Sequence, residues 1–71
     1  MKNFKSLGEI AGDYACDLAA LRVRRDALCE ELAHTVGAER RRKLQGRIAA
    51  IERMIYSTAS ALYLLRTYGE N

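Results

Sequence analysis

The sequence contains no proline and no tryptophan, a single phenylalanine and only two cysteines. Each scarcity removes a class of structure. Without proline, nothing breaks a helix by withholding a backbone donor, so breaks must come from glycine or from polar residues. Cys16 and Cys29 fall on one periodic segment, about 20 Å apart at a helical rise of about 1.5 Å per residue, which is beyond disulfide reach. Two thiols that cannot pair, with no secretory signal ahead of them, read as reduced cysteines in a cytoplasmic protein; an intermolecular bridge is the alternative.

Long apolar runs are missing too. The longest uncharged stretch, Met54 to Leu65, covers about 12 residues between Arg53 and Arg66, against about 20 needed to cross a bilayer. Residues Met1 to Glu9 hold two lysines but no apolar core of the kind a signal peptide needs. Chemical motifs are equally sparse. No glycine-rich loop precedes a helix, no serine or cysteine has a base partner, and no two carboxylates share a protected face. Cys29 and His34 stand about 140° out of phase on a helix, so they do not make a metal site. His34 suits a helix C-terminus instead. These absences predict a protein that is not an enzyme and has no cofactor or metal.

At 71 residues the chain is at most one domain, and a core this small is marginal because surface dominates volume. Such chains are stapled by disulfides, by a metal or by oligomerisation. With the first two unsupported, self-association is the expectation.

What is present is periodicity. Leu7, Ala11, Tyr14, Leu18, Leu21, Arg25, Leu28 and Leu32 recur at alternating spacings of three and four, as do Leu44, Ile48, Ile51, Ile55, Thr58, Leu62 and Leu65. Both segments are predicted helices. Ser6 and Glu9 form a capping-box pattern at the first start, Gly37 can take a left-handed conformation at the break, and Gly69 can close the second. The prediction is an all-α protein, one antiparallel, coiled-coil-like hairpin domain over residues 1–71. Helix 1 covers about 6–35, the turn about 36–38 and helix 2 about 39–68. Residues whose numbers sum to roughly 76 then share a height, and the near-3.5 spacing implies a gentle left-handed supercoil.

The second helix is apolar almost all round in its C-terminal half. Met54, Ala61 and Tyr68 flank the seam on one side at sevenfold spacing, Tyr56 and Tyr63 flank it on the other, and Leu64 adds to the surplus. Helix 1 offers small residues away from its seam, Cys16, Ala19, Ala20 and Val23 among them, on which bulky tyrosines of another copy can pack. This complementarity predicts a two-fold dimer, a four-helix bundle. A heterologous docking face and an interfacial membrane helix are the competing readings of the same surplus.

Charge is concentrated locally. Residues 39 to 53 hold six cations and two carboxylates, a net of +4, which exceeds the +3 of the whole chain. Arg40, Arg41, Arg42, Lys43 and Arg47 form a basic tip at a helix N-terminus, where cations oppose the macrodipole. Glu30 and Glu31 are expected to pair with part of it. The remainder can hold phosphates or an acidic partner, though a solvated tip is the bland alternative. Arg25 interrupts the apolar seam, and a bond to Glu52 is expected to fix register there. The functional expectation is a small interaction module, an inhibitor or adaptor, that binds a larger protein assembly and suits a phage or mobile-element accessory factor. The alternative is a non-specific nucleic-acid-associating protein that uses residues 40–47.

Overall fold

The structure, a computed structural model, describes residues 6–69. The part of the leader reading that rests on residues 1–5 lies outside them. Two helices, α1 (Leu7–Ala33) and α2 (Ala38–Gly69), pack against each other as a hairpin. Its extents are 52 × 26 × 14 Å, a flat rod and not a globule.

Both ends of α1 are built from side chains. At its start the Ser6 hydroxyl accepts the Glu9 N–H at 3.1 Å, and the Ser6 N–H donates to Glu9 Oε1 at 2.9 Å. This completes the capping box and satisfies donors that a helix start leaves free. The helix ends two residues before the expected Thr35, with His34 as the C-cap. Thr35 explains the early stop. Its Oγ1 donates to the Glu31 carbonyl at 2.6 Å and its N–H to the Leu32 carbonyl at 3.1 Å, a tight turn in place of another helical one. Gly37 then takes φ 107°, a conformation that favours glycine, and its carbonyl accepts the Arg41 N–H to start α2.

The core is thin. Only Leu18, Leu44, Ile51 and Leu62 are buried among the described residues, each still 7% exposed, with Leu21, Leu28, Leu32, Ile48, Ile55 and Leu65 half-buried beside them. The seam follows the predicted stripe except near the start of α1. There Ala11 turns inward as predicted and Ala15 joins it, while Leu7 and Tyr14, also expected in the seam, stand at its edge, 49% and 36% exposed. Small side chains let the helices close together, and at the edge the tyrosine keeps its hydroxyl in water. Among the described residues, no helix is long and apolar enough to cross a membrane.

Candidate interaction surface

Sevenfold spacing places residues of one helix in nearly straight rows, because seven residues complete almost two turns. Two such rows on α1 are Leu7, Tyr14, Leu21, Leu28 and Ile10, Asp17, Arg24, Glu31. Two on α2 are Arg40, Arg47, Met54, Ala61, Tyr68 and Lys43, Ala50, Ser57, Leu64. Three shallow grooves lie along the line where these rows meet. The one at the open end of the hairpin, about 410 Å³, is lined by Leu7, Ile10, Tyr14, Ala61, Leu64, Leu65 and Tyr68. The next, also about 410 Å³, is lined by Arg24, Ala27, Leu28, Arg47, Ala50 and Ile51. The last, about 320 Å³, lies at the tip against Glu31, Thr35, Arg40, Lys43, Leu44 and Arg47. One flank of the hairpin thus grades from apolar at its open end to basic at its tip.

A second apolar surface lies on the outer side of α2. Tyr56, Ala59, Ser60, Tyr63 and Leu64 line a groove of about 380 Å³, and Tyr56 continues into another with Ala49, Glu52, Arg53 and Ser57. Tyr56 is 76% exposed and Tyr63 68%. The residues singled out from the sequence therefore divide. Met54, Ala61 and Tyr68 belong to the first flank, Tyr56 and Tyr63 to the second surface, and Leu64 to both. Cys16, Ala19, Ala20 and Val23 are all exposed on α1, and both cysteines are free. Leu7, Ile10 and Tyr14 complete the open-end groove and were assigned to no surface from the sequence, where Leu7 and Tyr14 read as seam. The signal that identifies Ile10 is its sevenfold row with Asp17, Arg24 and Glu31.

The basic tip is less uniform than its sequence suggests. Arg41 Nη1 donates to the Leu32 carbonyl at 3.0 Å and the Thr35 carbonyl at 3.1 Å, across the turn. It ties the start of α2 to the end of α1, where carbonyls lack helical partners and a cation suits the dipole. Arg40, Arg42, Lys43 and Arg47 form no ion pair among the described residues. Glu30 does not reach this tip: its Oε2 lies 2.9 Å from His34 Nε2, one turn on along its own helix. Glu31 uses its backbone carbonyl at the cap, and its side chain lines the tip groove without an ion pair.

Arg25 sits where the seam predicted, half-buried, but its first partner is its neighbour. Its Nε donates to Asp26 Oδ1 at 2.9 Å, while Nη1 stands 4.0 Å from Glu52 Oε2. The Asp26 hydrogen bond and charge, followed by Glu52, raise the Arg25 pKa and keep the guanidinium charged. Among the described residues, no three histidine, cysteine, aspartate or glutamate side chains are grouped to hold a metal ion. No protein-family model, no curated protein and no solved structure matches this chain.

Proposed function

We propose that this protein is a non-enzymatic interaction module, a helical hairpin that pairs with a second copy of itself into a four-helix bundle and in that form binds or inhibits a larger protein assembly. One observation carries the reading: nine large apolar side chains are exposed, against four residues buried in the core. Scattered exposed apolar residues need no explanation, but here four of the nine, Leu7, Tyr14, Leu64 and Tyr68, share a groove at the open end. The hairpin exposes 5738 Å², roughly 1,300 Å² more than the about 4,450 Å² expected of a compact monomer of its mass. That excess is comparable to the roughly 800 Å² per partner of a standard interface.

Light scattering at micromolar concentration, with and without reductant, tests the pairing. The expected mass is twice 8.0 kDa in both conditions, since the interface is apolar and not a disulfide. A well-folded species of 8.0 kDa overturns it.

The exposed, unpaired cations of the tip favour a second reading, non-specific phosphate contact. It predicts nucleic-acid binding that collapses as salt rises, because each phosphate contact releases counterions. Reversing Arg42 and Lys43 to glutamate abolishes such binding, whereas Tyr63→Ser spares it. Arg41 is left intact in that test because it holds the hairpin closed.

A further inference from the structure

Resting on the reading that a second copy covers the apolar flank, we infer how the two copies lie: face to face and head to tail. The open end of each hairpin sits over the basic tip of the other, and Asp17 of each copy pairs with Arg24 of the other.

Charge is segregated along the molecule. Residues 7–21 of α1 carry Glu9, Asp13 and Asp17 and no cation, whereas residues 22–33 balance Arg22, Arg24 and Arg25 against Asp26, Glu30 and Glu31. Residues 38–53 of α2 carry six cations against Glu39 and Glu52, a net of +4, while residues 54–69 carry only Arg66. Stacking two copies with their tips at the same end sets one +4 end against the other. Turning one copy end for end sets each open end, net −2 from −3 on residues 7–21 and +1 on residues 54–69, against a tip end of net +4, and charge complementarity of this kind fixes register.

The flank provides matched positions for that arrangement. Asp17 and Arg24 belong to the row that borders all three grooves, both are exposed, and neither forms an ion pair within the chain among the described residues. They stand on either side of Ala20, the midpoint of α1. A two-fold axis crossing there brings Asp17 of one copy to Arg24 of the other, twice. At the same register on α2, Leu64 and Tyr68 of one copy lie over Arg47 and Lys43 of the other. The long aliphatic stems cover apolar surface there, and Lys43 faces the ring of Tyr68. A face of 52 × 26 Å provides more than the roughly 800 Å² per partner that a stable dimer needs.

The test is a charge swap read by dilution. Asp17→Arg and Arg24→Asp are each expected to raise the dimer dissociation constant at least about tenfold, since each substitution acts twice in a two-fold dimer. The double variant is expected to return within about threefold of the native protein, with helicity by circular dichroism unchanged throughout. Spin labels at Lys43→Cys, in a background with Cys16→Ala and Cys29→Ala, provide a second readout. Head-to-tail packing separates the two labels by roughly 35–40 Å along the rod, at 1.5 Å per residue. A same-end bundle holds them within roughly 20 Å. A native protein that dimerises but gives the short distance, or whose swapped variant fails to recover, overturns this arrangement and leaves the pairing intact. A native protein that is monomeric overturns the pairing itself.

Discussion

At the scale of single residues, Arg41 carries a role that its neighbours in the basic run do not share. Its guanidinium spans the turn and binds two carbonyls from a half-buried position. Hydrogen bonds from a charged donor contribute more than neutral ones. Arg41→Ala is therefore expected to destabilise the hairpin by about 1–2 kcal/mol, and Arg41→Lys, which lacks the planar fork, to recover only part of that. Thermal melts at fixed protein concentration check both, with the alanine variant falling by roughly 4–8 °C per kcal/mol. Arg40→Ala, at the preceding residue of the same run, is expected to leave the melt in place. The sequence shows Arg40 to Lys43 as a block of equals. What separates Arg41 from the rest is the direction of the first turn of α2 relative to the last carbonyls of α1, and that is set by the backbone at His34 to Gly37. Arg25 is a similar case. Its place in the seam is legible from spacing, but the choice of Asp26 over Glu52 depends on rotamers that spacing does not encode.

At the scale of the helix, the alternating three and four spacing was enough to identify both elements, their antiparallel pairing and most of the seam. The capping box at Ser6 and Glu9 was equally legible, because the chemistry of a helix start is local. The pattern failed near Leu7 and Tyr14, where a strict heptad does not say which of two adjacent rows turns inward. That choice depended on the small size of Ala11 and Ala15, a packing effect between helices. The two apolar surfaces of α2 were legible in the same way, since rows seven apart set Met54, Ala61 and Tyr68 on one side of the seam and Tyr56 and Tyr63 on the other, but the place of Leu64 in both grooves was not. The thin seam makes its members costly to lose. Ile51→Ala removes one of four buried residues and is expected to cost about 2–5 kcal/mol, most of the stability of a domain this small. Tyr56→Ser, on the exposed side, is expected to cost less than about 0.5 kcal/mol. Urea titration of both variants separates the residues that hold the hairpin together from those that face outward.

At the scale of the whole molecule, the hairpin has a built-in direction, with an apolar end and a basic end on one flank. The basic end is visible in the chain taken linearly, as the run from Arg40 to Lys43, but the apolar end is not, because it joins residues 7–14 to residues 61–68, which only the turn brings together. The turn itself has a consequence in time. The contacts between α1 and α2 close loops that lengthen with distance from His34 to Gly37, an arrangement rich in short closures of the kind that favours fast folding. During synthesis α1 emerges whole, but its last carbonyls wait for the guanidinium of Arg41, eight residues after Ala33. Until that side chain leaves the ribosome, the first helix has a finished beginning and an unfinished end.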